Sequence, residues 1–147
     1  MNNRAKIYFC TFAFIIASLL LTSCSGDKEV KKVSEDSSIA LEVFKIAETI
    51  KNAYIRNDRR SLEKVSTKEG YMEIIGAMKN FDNAELTFTP TWVDIQDSVV
   101  NLTVSWKGTW TVKDKVTEER GVAVFVFEEK PLLLARIQRA NPFRQPE

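Results

Sequence analysis

The feature that most constrains the fold is a strict alternation of apolar and polar residues in the second half of the chain. Every odd position from Asn101 to Lys113 is polar, whereas the even positions between them carry Val100, Leu102, Val104, Trp106, Gly108, Trp110 and Val112. Because successive side chains of a β-strand point to opposite faces, this pattern predicts one long strand with a buried face and a solvated face. A strand of this length twists, and Gly108 between two tryptophans predicts a bend or a bulge.

The residues before this strand follow a helical period instead. Apolar side chains recur every three or four positions over residues 37–56, which predicts an amphipathic helix with one buried stripe: Ile39, Val43, Ala47, Ile50 and Tyr54. Asn57 and Asp58 are expected to end that helix and to cap a short second one containing Leu62 and Val65.

A third helix is predicted to begin at a capping box formed by Ser66 and Glu69. Its buried stripe is expected to comprise Tyr71, Ile74, Ile75 and Met78. From residue 84 onward the period changes to two, and strands are predicted at 86–88, 93–95, 100–112, 116–128 and 132–138. The last residues, 141–147, are expected to form a tail. Three helices followed by a curved antiparallel sheet of about five strands is an α+β arrangement, in which the helices cover one face of the sheet.

The N-terminal residues have the three parts of a secretory signal. Arg4 and Lys6 are followed by an apolar run over residues 7–21. The alternative is a spanning helix, which needs about 20 apolar residues and is therefore longer than this run. The run ends in Leu-Thr-Ser-Cys at residues 21–24, which resembles the lipobox of bacterial lipoproteins.

That resemblance implies cleavage between Ser23 and Cys24 and attachment of diacylglycerol to the Cys24 thiol. Residues 1–23 would be the signal peptide, 24–36 the lipidated cysteine and a polar tether, and 37–147 the folded domain. Two acyl chains hold a protein stably on a bilayer. Because Ser25 follows the cysteine, the resemblance implies the periplasmic side of the outer membrane, with the inner membrane as the alternative.

Composition excludes several classes of function. The chain has no histidine, which rules out a His-based triad, metal site or general base. Cys10 would leave with the signal, so no disulfide is expected. Removing residues 1–23 takes away two of the 21 basic residues, which leaves 19 against 20 acidic ones and a net charge near −1. Neither nucleic acid, a metal nor a cofactor is predicted.

Residues 37–143 resemble the NTF2-like (cystatin-like, SnoaL-like) α+β cone. The likeness rests on the long first helix running into Ala-Tyr-Ile-Arg-Asn-Asp at 53–58, on Leu62, on the third helix, and on long strands carrying Trp106 and Trp110. The group includes isomerases, epoxide hydrolases, ligand binders and non-catalytic envelope-assembly modules, so the resemblance does not select one function.

Relatives resembling ketosteroid isomerase use a buried carboxylate and a tyrosine inside the cone. The resemblance therefore implies three catalytic candidates, Asp94, Tyr54 and Tyr71. The two tyrosines lie on apolar helical stripes, which favours packing over catalysis. Asp94 alternates with apolar neighbours and is expected to point to water if they face inward. The sequence therefore favours a non-catalytic protein.

Trp106 and Trp110 are the candidate ligand-binding residues. They lie on the same strand face with Gly108 between them, which leaves a gap that an apolar or aromatic molecule could occupy. The alternative is that both indoles fill the core, as tryptophans on such stripes normally do.

The strand at 116–128 has two apolar faces, one with Val122, Val124 and Val126 and the other with Ala123, Phe125 and Phe127. The sequence leaves open which set faces inward. Phe125 and Phe127 are the candidate interface residues, and an exposed apolar set predicts a homodimer or another envelope protein as partner. The sequence as a whole predicts a lipid-anchored, non-enzymatic binding or assembly module facing the periplasm. The alternative is a small-molecule binder or an isomerase-like enzyme that uses the cone cavity.

Overall fold

Residues 34–146 are described by a computed structural model of the protein. The predicted cleavage site, Cys24 and most of the tether lie outside these residues. Helix α1 spans Glu35–Ile55, two residues earlier than predicted, because the Ser34 hydroxyl accepts a hydrogen bond from Ser37 N at 3.2 Å and caps it. Within the described part of the chain, no helix is both long and apolar enough to cross a membrane.

Two shorter helices follow. Helix α2 spans Arg59–Lys64 and is capped as predicted by Asp58, whose carboxylate accepts hydrogen bonds from the Ser61 backbone N–H at 3.1 Å and from the Ser61 hydroxyl at 2.6 Å. These bonds hold the pKa of Asp58 below its ordinary value, because they favour the ionised carboxylate.

Helix α3 spans Lys68–Ala77, and its N-cap is Thr67 rather than the predicted Ser66. Ser66 is buried and forms a parallel bridge to Leu134, in which Thr67 N–H donates to the Leu134 carbonyl at 2.8 Å. The backbone at 66 is thus committed to the sheet, and the cap moves one residue on.

The sheet has four antiparallel strands in the order β1-β2-β3-β4: β1 Asn83–Gln96, β2 Val99–Val112, β3 Lys115–Glu128 and β4 Leu133–Arg139. The α+β prediction is confirmed, but the strands predicted at 86–88 and 93–95 are one strand. A register shift between Pro90 and Trp92 absorbs the proline. Because β1 is an edge strand, a residue without an N–H is tolerated there.

The register also decides which residues are buried. On β3 the odd set faces the helices, and Ala123, Phe125 and Phe127 are fully buried there. The core lies between α1 and this concave face, and α3 with the 65–67 segment covers the β4 edge. No bulge occurs at Gly108, since the pairing runs without a break from Leu86 through Gly108 to Glu119.

Candidate functional site

A buried polar contact joins α1 to β2 near the end of that strand. The Trp110 indole Nε1 donates to the Tyr54 hydroxyl at 2.9 Å, and both side chains are 0% exposed. Burial raises the pKa of Tyr54 to about 12, although the hydrogen bond from Trp110 opposes the shift. Tyr54 therefore stays protonated at neutral pH, with its oxygen engaged as an acceptor. This is a structural pair rather than a poised general acid or base.

The gap predicted between Trp106 and Trp110 is filled by the protein itself. The Trp110 ring folds back over Gly108, so that a Cβ at 108 would overlap this ring and would lie 2.8 Å from Leu86 Cδ2. Trp106 is also buried, and its Nε1 donates to the Ala140 carbonyl at 2.9 Å. The glycine is needed for close packing, and the structure supports the core alternative for both indoles.

A residue from the expected tail closes the cone. Phe143 is 0% exposed, and its ring centroid lies 5.0 Å from that of Tyr54 and 6.2 Å from that of Phe125. Phe88 completes the cluster, 6.1 Å from Phe143. The segment 141–147, which was expected to form a tail, therefore contains a core residue, Phe143. Sequence reasoning missed it because a single apolar residue between Pro142 and Arg144 carries no periodic signal.

The three catalytic candidates do not form one site. Asp94 pairs with Asn101 on the outer face of the sheet, where its carboxylate accepts a hydrogen bond from Gln96 Nε2 at 2.6 Å. Tyr71 is half-buried on α3, against the core. Within residues 34–146, no hydrogen bond joins any two of Asp94, Tyr54 and Tyr71, and no three Cys, Asp or Glu side chains cluster as metal ligands.

The outer face of the sheet corrects the interface prediction. Phe125 and Phe127 lie in the core at 0% exposure, so they form no surface patch. The even set points outward instead, and of this set Val122 is 38% exposed, Val124 half-buried and Val126 buried.

Trp92 joins this outer face and is 68% exposed. Trp92 was not among the residues predicted to lie on this surface, although its parity is that of Asp94, which was expected to face water. Two neighbouring cross-strand rows hold only uncharged side chains, and we call them the outer band: Thr89, Ser105 and Val122 in one row, and Trp92, Thr103, Val124 and Gln138 in the other. The second row crosses all four strands without a charged side chain, in a chain with 28% charged residues.

At the mouth of the cone lies a cleft of about 390 Å³ between α3 and the residues after β4. Its lining includes Trp106, Glu119, Arg139 and Arg144. Neither guanidinium forms an ion pair with a carboxylate of the described residues. The cleft is therefore polar and open, whereas the interior behind it is occupied by side chains.

No family model matches this sequence, and a search of curated proteins finds no match either. Solved structures do match. An NTF2-like superfamily protein from Salmonella enterica serovar Typhimurium LT2 superposes with a TM-score of 0.60 at 12% identity, over 73% of this chain and 93% of that one. This chain has the NTF2-like fold. A conserved protein from Planctomyces limnophilus superposes with a TM-score of 0.56 at 15% identity, over 68% of this chain and 93% of its own. At such identities the likeness to NTF2-like proteins concerns the fold alone.

Proposed function

We propose that this protein is a lipid-anchored, non-enzymatic assembly module of the bacterial envelope, and that it pairs with a second copy through the outer band. The observation that carries the proposal is a contrast between the two faces of the sheet. The concave face is filled by Tyr54, Trp110 and Phe143. The outer band exposes Trp92 and Val122 and contains no charged side chain. Depletion of charge together with an exposed aromatic residue is typical of interfaces.

The charges bordering the outer band also fit self-association. The next row along the strands holds Asp94 on β1 and Arg136 on β4, at opposite edges of the sheet. A twofold axis parallel to the strands would bring β1 of one copy over β4 of the other, so that each Asp94 would face Arg136 of the second copy. An isologous interface requires this kind of self-complementarity.

The envelope location rests on the lipobox at residues 21–24, and the tether would place the outer band within reach of other anchored proteins. A second candidate function is the binding of a small polar molecule in the 390 Å³ cleft, whose lining holds two arginines, Arg139 and Arg144, and two carboxylates, Glu73 and Glu119. Isomerase-like chemistry has less support, because Tyr54 is engaged by Trp110 and Asp94 lies on the other face.

Light scattering on residues 34–147, which retain the Ser34 cap, tests the pairing. We expect a dimer. Val124→Asp should give a folded monomer, because the charge lies on the outer band, whereas Phe125→Asp should unfold the domain by burying an unpaired charge. Trp92→Ser is a second variant that should dissociate the dimer without unfolding. A wild-type fragment that remains monomeric at high concentration would refute self-association.

A further inference from the structure

The cone interior is completed by a C-terminal segment that few hydrogen bonds join to the rest of the protein. Phe143 supplies one ring of a four-ring cluster, and the rings of Tyr54, Phe88 and Phe125 surround it at centroid distances of 5.0, 6.1 and 6.2 Å. Its Phe125 contact is stacked, with an interplanar angle of 9°. The cluster thus forms an aromatic receptacle, and its occupant comes from the end of the chain.

Hydrogen bonds hold only the start of this segment. Ala140 N–H donates to the Val122 carbonyl at 3.2 Å, and the Ala140 carbonyl accepts from Trp106 Nε1 at 2.9 Å. Past Ala140, the bonds that the described residues make are internal to the segment. Phe143 N–H donates to Asn141 Oδ1 at 2.9 Å, and Arg144 N–H to the Asn141 carbonyl at 3.2 Å.

The segment also carries an unfavourable group. Gln145 is 7% exposed, and its Oε1 is buried without a hydrogen-bond partner among the described residues. A buried acceptor without a partner destabilises the docked arrangement. Docking past Ala140 therefore depends on burial of the side chains of Pro142, Phe143 and Gln145 rather than on hydrogen bonds to the rest of the protein. A terminal segment held in this way is expected to open below the free energy of global unfolding.

Open space borders the segment along its length. The 390 Å³ cleft touches Asn141 and Arg144, and a second cleft of about 450 Å³ touches Arg144, Gln145 and Pro146. Release of the segment toward these clefts would remove the Phe143 ring from its contacts with α1 and the sheet, and it would leave an apolar space of the size of that ring.

We propose that the cone interior is a binding site for an aromatic side chain presented by a peptide, and that residues 141–146 are its built-in occupant. The occupant defines the ligand class, because a phenylalanine flanked by proline and arginine already fits the site. An external peptide must displace a tethered competitor, whose effective concentration is on the order of millimolar. This site is separate from the outer band, so the failure of either proposal leaves the other standing.

Hydrogen exchange on the unmodified full chain tests release of the segment. The Phe143 backbone N–H donates to Asn141 Oδ1 inside the segment and reports its release, whereas Trp110 Nε1–H donates to Tyr54 and reports separation of α1 from the sheet. We expect the Phe143 N–H to be protected from exchange at least roughly 100-fold less than Trp110 Nε1–H. Equal protection of the two groups would overturn the proposal.

Binding of a peptide with the sequence of residues 140–147 tests the receptacle. It should bind the full-length Phe143→Ala variant at least roughly tenfold more tightly than the wild type, because the internal competitor is weakened. The same peptide with alanine in place of phenylalanine should not bind. Phe44→Ala, which removes a half-buried ring outside the cluster, should behave as the wild type.

Equal peptide affinity of the Phe143→Ala variant and the wild type, with Phe143→Ala folded, would overturn the receptacle. If Phe143→Ala does not fold, Phe143→Leu takes its place, because it keeps apolar volume while losing the ring contacts. The exchange measurement needs no variant, and its result decides release in either case.

Discussion

The buried pair of Tyr54 and Trp110 makes a prediction in which stability and pH are linked. Tyr54→Phe removes the acceptor of the Trp110 Nε1–H, which lies at 0% exposure and would have no other partner. A buried donor left unpaired costs about 1–3 kcal/mol. We therefore expect the variant to be less stable than the wild type by this amount at pH 8, in urea titrations of residues 34–147.

The difference should shrink as the pH rises. The pKa of Tyr54 is raised from 10.0 to about 12 in the folded protein, so the neutral phenol stabilises the fold fully below pH 10 and this contribution is lost as the pH rises through 12. At pH 11 the loss is about 1.4 kcal/mol, since one pKa unit corresponds to about 1.36 kcal/mol. The variant has no phenol at 54 and escapes the loss. The gap between the wild type and Tyr54→Phe should therefore narrow by about 1.4 kcal/mol from pH 8 to pH 11.

Comparing the two proteins at each pH removes the shared titration of lysines and other groups. Tyr71→Phe is the matched control, because it removes a half-buried tyrosine but keeps Tyr54. Between pH 8 and pH 11 its free energy of unfolding must still fall by the amount that the titration of Tyr54 contributes. A gap that stays constant from pH 8 to pH 11 would refute the assigned burial of the phenol. If Tyr54→Phe is as stable as the wild type at pH 8, the hydrogen bond is refuted as a stabilising contact.

Three further outcomes are expected. Trp106→Ala should lower the free energy of unfolding by about 3–5 kcal/mol, because it truncates a core side chain. Lys107→Ala, on the solvated face, should lower it by less than about 0.5 kcal/mol. Equal effects in urea titrations would contradict the alternation of buried and solvated positions along β2. Gly108→Ala should cost about 1–3 kcal/mol through overlap with the Trp110 ring, whereas Gly76→Ala, with open space around it in α3, should stabilise by roughly 0.5–1 kcal/mol. Cys24→Ser should abolish lipid attachment, and mass spectrometry that finds an unmodified Cys24 in the mature membrane-bound protein would contradict the anchor.

Elements with a strong period could be predicted from the sequence. The alternation over residues 100–112 gave β2 at Val99–Val112, and the apolar stripe over 37–56 gave α1 at Glu35–Ile55. Both predictions depend on which face of an element is buried, and this information is repeated many times along each element. The direction of Asp94 followed in the same way from its neighbours Val93 and Ile95.

Features set by one contact between distant parts of the chain could not be predicted in this way. Ser66 lost the cap of α3 to Thr67 because its backbone meets Leu134, 68 positions later. The sequence left open which face of β3 is buried, because both faces are apolar. The register of β3 against β2 decides that Phe125 lies in the core.

Gly108 and Phe143 show the same limit at the candidate site. A glycine between two tryptophans suggests an open gap when only strand geometry is considered, yet the Trp110 ring occupies that space because it turns toward Tyr54 to place its Nε1–H on the hydroxyl. The cone then still lacks one ring between Tyr54, Phe88 and Phe125, and a buried apolar gap of that size destabilises a fold in proportion to its volume. Phe143 fills this space at the end of a segment otherwise held by few bonds, so the same ring completes the core and leaves the site open to competition by another aromatic side chain.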